Sequence, residues 1–296
     1  MKPDIWINGE FVPWDKAGIH PLSFSMQRGA TLFESIACNE ADDGRSAIFR
    51  LRDHMLRLEN SARIIGMKLD YDIENLVQAV VDTVVRSGLK ECVIRPLAFY
   101  ADPVMEVYPG NIPTTVVIGL GETHFPPEYY RLTISRLRKI DGTSMPVKAK
   151  VSGNYIGPMI AKSEAIKAGF DDTILLDTEG YVAEGATSSI FIVERGKLVT
   201  APLDKILPGI TRDTVNIIAP ELGIKVIQEK FPQERLKNAD EVILCSSGNE
   251  VTPIIQVDNR VIADGTPGPV ALRLRSYYAD IIVGRVQGFE HWFTYV

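Results

Sequence analysis

Two lysines, Lys148 and Lys150, stand in the stretch KAKVSGNYIG, on an apolar background that gives way to small residues and Tyr155. A lysine taken out of water is costly unless it pairs, loses its charge or reacts. A desolvated amine is also a nucleophile. In an extended segment both lysines share a face, so spacing does not choose between them. The same spacing fits two surface lysines that keep an edge strand from pairing with another chain.

Three further stretches carry groups that an anionic or cationic ligand would meet. Glu184 lies among small residues in DTEGYVAEGATSSIFIV. It is either a loop acid in solvent or a carboxylate that holds a positive charge on a bound ring. LPGITRDTVN has a Pro208-Gly209 turn, Thr211 as the expected helix N-cap and Asp213 in the first turn. A helix start after a glycine offers N–H groups and a dipole to a phosphate, although a plain capped helix reads the same. CSSGNEVTP sets Ser247 and Gly248 after a strand, where a hydroxyl and backbone N–H groups can meet an anion. By itself it is a turn. Gly119-Leu120-Gly121 is the nearest approach to a dinucleotide fingerprint, but it lacks the third glycine and a following helix. It reads as a strand end.

The elements that must position these residues follow from periodicity. DIWINGEFVP reads as a hairpin about Asn8-Gly9. TLFESIAC and SAIFRL read as strands joined through a polar turn. Met55, Leu58, Ala62 and Ile65 recur at helical spacing between Leu51 and Lys68. DIENLVQAVVDTVVRSGL is a second amphipathic helix, with Asp72 as N-cap and Gly88 as stop. ECVIRPLAFY and TTVVIGLG follow as strands. GETHFPPEYY, with Pro126-Pro127, then reads as a linker. Beyond it strands (RLTISRL, DTILLD, SIFIVE, EVILC) alternate with helices (GPMIAKSEAIKAG, TRDTVNIIAPELG, PGPVALRLRSYYADIIVG). The expected class is α+β. A smaller N-terminal α/β domain over residues 1–120 and a linker at 121–130 precede a larger domain with a β core over 131–296. A two-domain chain of this kind is expected to hold a small molecule in its cleft.

Composition excludes several classes. A net charge of -6 without a basic block argues against nucleic-acid binding. The first residues contain no apolar core of a signal peptide, and no apolar run approaches a membrane span, so no membrane partner is expected. Cys38, Cys92 and Cys245 lie far apart, and the four histidines show no ligand spacing. No metal is expected, and the cysteines read as buried apolar residues of a reducing, cytoplasmic protein.

Taken together and in this order, the motifs resemble the class IV (fold-type IV) pyridoxal-phosphate aminotransferases. They are Lys150 with Tyr155, Glu184-Gly185-Ala186, Pro208-Gly209-Ile210-Thr211-Arg212 and Ser247-Gly248-Asn249-Glu250-Val251-Thr252-Pro253, with RLRDHMLRLENSARIIGM in the first half. The likeness runs from IWINGEFVP to GPVALRLRSYY. It implies pyridoxal 5'-phosphate as cofactor and Lys150 as the Schiff-base and proton-transferring lysine, with Lys148 a neighbour. Glu184 would stand at the ring nitrogen and Tyr155 at the phenolic oxygen. Arg57 would bind the phosphate bidentately, joined by the Ile210 and Thr211 N–H groups and the Thr211 and Ser247 hydroxyls. It implies amino acid and 2-oxo acid substrates and a homodimer or larger homo-oligomer.

For the substrate the resemblance divides. Val93 to Pro113 looks most like branched-chain amino acid aminotransferases. Arg95 would hold a glutamate or 2-oxoglutarate side-chain carboxylate, Phe33 an apolar side chain, and Gly248 would line the substrate. Branched-chain L-amino acids with 2-oxoglutarate are therefore slightly favoured. Two positions depart from that group. Val93 stands where a tyrosine is common, and Arg28 stands where an aromatic is common. If Arg28 and Arg95 clamp an α-carboxylate together, the pockets exchange and the protein is a D-amino acid aminotransferase. An aminodeoxychorismate lyase would share the cofactor residues.

Overall fold

Asn8 and Gly9 turn the chain at its start, with φ of 46° and 97°. Both are left-handed, as the tight hairpin turn requires. They join β1 (Ile5–Ile7) to β2 (Glu10–Val12) in antiparallel register, Ile7 opposite Glu10. The computed structural model describes residues 2–123 and 125–296. It divides into two units, one of Met1–His124, Ala149–Gly153 and Ile281–Val296, the other of Phe125–Lys148 and Asn154–Asp280. The chain first passes from one to the other inside the stretch 121–130 that reads as a linker, of which His124 lies outside the described residues. Two segments join the first unit through distant pairing: Val151 bridges Leu32, and the C-terminal strand Phe293–Tyr295 pairs with Ser46–Phe49.

The first unit continues through α1 (Phe24–Arg28), β3 (Leu32–Phe33), β4 (Ile36–Glu40), β5 (Ser46–Phe49), α2 (Leu51–Ile65), α3 (Ile73–Ser87), β6 (Cys92–Tyr100) and β7 (Thr114–Gly121). Its sheet runs C-terminal strand, β5, β4, β6, β7, β1, β2, with β3 also on β6. Burial alternates along the strands. On β6 Cys92, Ile94, Pro96 and Ala98 are buried, whereas Val93 and Leu97 are half-buried and Arg95 is exposed. The buried face meets Met55, Leu58 and Ala62 of α2 and Leu76, Val80 and Val84 of α3. The expected cap of α3 is present: the Asn75 N–H donates to Asp72 Oδ1 at 2.7 Å, and Gly88 ends the helix at φ 68°.

The second unit contains β8 (Tyr130–Arg138), α4 (Ile156–Lys167), β9 (Asp172–Leu176), β10 (Val182–Gly185), β11 (Ser189–Glu194), β12 (Lys197–Thr200), α5 (Ile210–Glu221), β13 (Val226–Gln228), α6 (Gln233–Lys237), β14 (Glu241–Ser246), β15 (Glu250–Val257), β16 (Arg260–Val261) and α7 (Pro269–Ile282). The sheet order is β10, β9, β8, β15, β14, β11, β12, β13, with β16 on β15. Strand β8 is parallel to both β9 and β15, and the α+β class expected from the sequence holds. The run after Ser247 is more than the turn expected of it: only residues 247–249 turn, and β15 begins at Glu250. Among the described residues no helix is long and apolar enough to cross a membrane.

One buried carboxylate fixes the start of α7. Glu241 accepts the Val270 N–H at 3.0 Å on one oxygen and the Ala271 N–H at 2.7 Å on the other. Gly268 makes room for it, since a Cβ there would collide with the Glu241 carboxyl group. Replacing Glu241 with Ala should cost about 1–2 kcal/mol, the worth of a lost cap at a helix start. Urea unfolding should show this as a lower midpoint with an unchanged slope.

Candidate active site

The segment holding Lys148 and Lys150 is not the extended strand expected. Val147 and Lys148 lie in a turn, so the two lysines no longer share a face. Lys148 is exposed and Lys150 half-buried. Backbone bonds hold Lys150 against β3. Its carbonyl accepts the Phe33 N–H at 3.2 Å, and Ser152 and Gly153 donate to Thr31 and Gly29 carbonyls at 2.8 and 2.9 Å. Gly29, at φ +66°, tolerates this approach because its Cβ would come within 3.3 Å of Gly153 Cα. The Lys150 N–H donates to Ser61 Oγ at 3.0 Å, and that hydroxyl donates to the Arg57 carbonyl at 2.8 Å. The Lys150 Nζ then stands 4.5 Å from the centre of the Phe33 ring. The Arg95 guanidinium carbon stands 5.7 Å from the same ring. An aromatic face attracts both cations and holds them over an apolar surface.

Arg57 is anchored before any ligand arrives. Its Nε donates to Glu34 Oε1 at 2.8 Å and its Nη2 to Glu34 Oε2 at 2.6 Å. His54 Nδ1 lies 2.7 Å from the same Oε2. Burial works against the Glu34 charge, but Arg57 and His54 outweigh it and hold the carboxyl well below its usual range. Burial lowers the His54 pKa against the pull of Glu34, with the Arg57 and Lys150 charges adding to the lowering, which favours the neutral ring. The bidentate edge of Arg57 expected for a phosphate is thus committed to a carboxylate. A phosphate would meet the guanidinium edge turned away from Glu34.

In the second unit Glu184 is buried at the end of β10 and pairs through Oε1 with the Lys139 ammonium, itself 8% exposed. Its Oε2 accepts the Leu207 N–H at 3.4 Å. The N-cap of α5 is Gly209 rather than the expected Thr211, which occupies the second helical position and is buried. A Cβ on Gly209 would lie 2.8 Å from Ser189 Oγ, so a capping side chain does not fit. Arg212, in the same turn, is 2% exposed. Its hydrogen bonds go to neutral oxygens, the Thr200 hydroxyl at 3.4 Å and the Ala201 carbonyl at 2.8 Å. A buried guanidinium beside a helix N-terminus makes this end of α5 strongly positive. Ser247, half-buried, and Gly248, exposed, form the turn between β14 and β15. Asn249 braces that turn, its Nδ2 donating to Ser188 Oγ at 2.7 Å and its N–H to Ser246 Oγ at 3.1 Å. Tyr155 is half-buried at the start of α4.

Within the first unit the structure brings Lys150, Phe33 and Arg95 together. Arg28 is exposed and donates from Nη2 to the Met105 carbonyl at 2.7 Å. Sequence reasoning missed Glu34, His54, Ser61 and Lys139. His54 and Ser61 lie on the buried stripe of α2, a polar interruption that could have drawn notice. Glu34 and Lys139 give no local signal. A cavity of about 380 Å³ beside Glu194, Lys197 and Arg235 holds none of the candidate residues, and its Arg235 is already paired with Glu194 and Glu229.

These residues fit the donor set that a phosphorylated pyridoxal ring requires: an amine on an aromatic face, a buried carboxylate and a cationic helix start. Comparison with known proteins agrees. The family model for class IV aminotransferases matches residues 31–257. The branched-chain-amino-acid aminotransferase of Escherichia coli K12 is 34% identical over 304 residues, covering 99% of this chain and 97% of its own length. A branched-chain aminotransferase structure from Thermoproteus uzoniensis with norvaline superposes with a TM-score of 0.96 at 36% identity, covering 100% and 99% of the two chains. A branched-chain aminotransferase structure from Thermobaculum terrenum, in its PLP-bound holo form, gives 0.93 at 30% identity, covering 99% and 98%.

The neutral, buried His54 makes stability depend on pH. Its folded pKa lies below its ordinary 6.5, so on acidification the unfolded chain binds the proton first. The stabilisation is complete above that value and is lost as pH falls below it. The thermal midpoint should therefore drop between about pH 7.5 and about pH 5.5, and less steeply in His54→Asn. Equal slopes in the two proteins would remove His54 from this role.

Proposed function

Because the chain belongs to the class IV aminotransferases, we propose that it moves the amino group of branched-chain L-amino acids to 2-oxoglutarate, with pyridoxal 5'-phosphate as cofactor. The observation that carries this reading is the sharing of the Phe33 ring by Lys150 and Arg95. An aliphatic side chain packs on that ring and its neighbours, and a side-chain carboxylate pairs with the guanidinium. The relatives named as branched-chain aminotransferases support the L-series over the D-series and over a lyase.

When bound, the cofactor supplies a ring that accepts the electron pair left on the substrate α-carbon. Lys150 Nζ is the amine that would hold the cofactor through its carbonyl carbon and, when free of it, would serve as the base for the substrate Cα proton. Its backbone is pinned by Ser61 and Phe33, so the amine swings while its root stays fixed. Arg57 and Thr211, with the Ile210 N–H and the Ser247 hydroxyl, would bind the phosphate, and Arg212 would add positive potential at the start of α5. Tyr155 would hold the phenolic oxygen. Glu184 would keep a proton on the ring nitrogen, and Lys139 shares the charge of that carboxylate. Gly248 would leave space for the substrate.

The protein works as a homodimer or larger assembly. Exposed Met105, Val107 and Tyr108, at 69%, 79% and 76%, support this, since apolar side chains clustered on one loop favour cover by a partner. Three free, buried cysteines support a cytoplasmic setting.

The test is a set of half-reactions without keto acid. L-leucine and L-glutamate should each remove the visible absorbance of the yellow protein, and D-leucine and D-alanine should not. The opposite pattern would overturn the proposed substrate. Lys150→Ala should lack that absorbance and the activity. Glu184→Ala should keep the absorbance and lose turnover by about 100-fold, the scale of a misplaced proton.

A further inference from the structure

Gly119 and Gly121 of β7 are not explained by the fold. Neither has a positive φ, so backbone conformation does not demand glycine. Packing does not demand it either. A Cβ on Gly119 would meet no atom within 4 Å, and one on Gly121 only the Val93 carbonyl at 3.9 Å. Glycine weakens a strand interior, and where it persists a ligand or backbone commonly approaches. The register gives these glycines their neighbours. Gly119 lies opposite Arg95 and Gly121 opposite Val93, and all four are on the outward face of the sheet. Leu97 lies opposite Val117 and pairs with Phe33 on its other side. Directly opposed side chains on a sheet face stand only about 5 Å apart. A side chain at 119 would therefore lie along the Arg95 stem. Without one, the space beside the Arg95 stem is left unfilled, and the Phe33 ring that meets both Arg95 and Lys150 lies on the same face.

We propose that Gly119 sets the length of substrate side chain the enzyme accepts, by leaving the space beside Arg95 in which a branched alkyl chain or a chain ending in a carboxylate lies. The inference rests on the aminotransferase reading above. A substrate whose amine meets Lys150 and whose side chain crosses Phe33 toward Arg95 has its far carbons over Gly119. Short chains such as that of alanine end before this space. Val93 and Gly121 leave the far end open.

Gly119→Val fills the space with a residue that strands favour, and Gly119→Ala fills it in part. In Gly119→Val the ratio of kcat/KM for L-leucine to that for L-alanine should fall about tenfold or more, the discrimination a few buried methyl groups supply. The same ratio for L-glutamate should fall too, with most of the loss in KM. Gly119→Ala should fall between. The Kd for 4-methylvalerate, a non-reacting branched carboxylate, should weaken in step, and the visible absorbance should remain. Equal losses for all chain lengths, or no change in the ratio, would overturn the proposal. Failure of the wild-type protein itself to transfer amino groups would instead overturn the function, and the inference with it.

Discussion

A fully buried carboxylate cannot stand alone, and Glu34 is fully buried. The demand that its charge be matched organises the reactive side of the first unit. Arg57 and His54 sit three residues apart on α2, so one helix turn brings both to the same carboxylate. That fixes the rotation of α2 against β3. Ser61, one turn further on, then meets the Lys150 backbone. Leu32 and Glu34 point to the core, so Phe33 between them points outward, where Lys150 and Arg95 meet it. Arg57 and the Lys150 backbone are thus held by one frame of protein hydrogen bonds.

The second unit solves a similar problem with a different pair. Glu184 and Lys139 are both buried, and each removes the cost of the other's charge. In the proposed reaction a carboxylate already shared with an ammonium would hold a ring proton less strongly than a bare one. At α5 the balance is reversed. Arg212 is buried, its hydrogen bonds go to the neutral Thr200 hydroxyl and Ala201 carbonyl, and burial pulls its pKa down against the neighbouring Asp213 charge. Its positive charge, offset in part by Asp213, adds to the helix dipole, and a phosphate dianion is the kind of group that would complete it.

Elements whose stabilisation is local were legible in the sequence. The Asn8-Gly9 turn, the Asp72 cap and the Gly88 stop each depend on residues within one turn of themselves. Lys150, Glu184 and the start of α5 are singled out by the resemblance of the ordered motifs to a known family, since each stretch alone also has a purely structural reading. What escaped depends on partners far along the chain. Glu34 takes its meaning from α2, Lys139 from Glu184, and the last strand from β5, near the other end of the chain. Thr211 was misread as a cap because its hydroxyl fits that role in isolation. The close approach of Ser189 to Gly209 decides otherwise. An extended period puts Lys148 and Lys150 on one face and cannot separate them; the turn at Val147 and Lys148 does.

Stereochemistry turns on where the cations lie. Exchanging the carboxylate and side-chain pockets requires two cations that can close on one α-carboxylate. Arg95 meets Phe33, the ring that also carries the Lys150 amine. Arg28 is tied to the Met105 carbonyl, which satisfies its donor without neutralising its charge. One guanidinium on an otherwise apolar face suits a site that takes aliphatic and acidic side chains in turn. In the proposed reaction an acidic side chain would pair with Arg95, and an aliphatic one would pack on Phe33. A clamp built on both arginines would first have to break the bond to Met105.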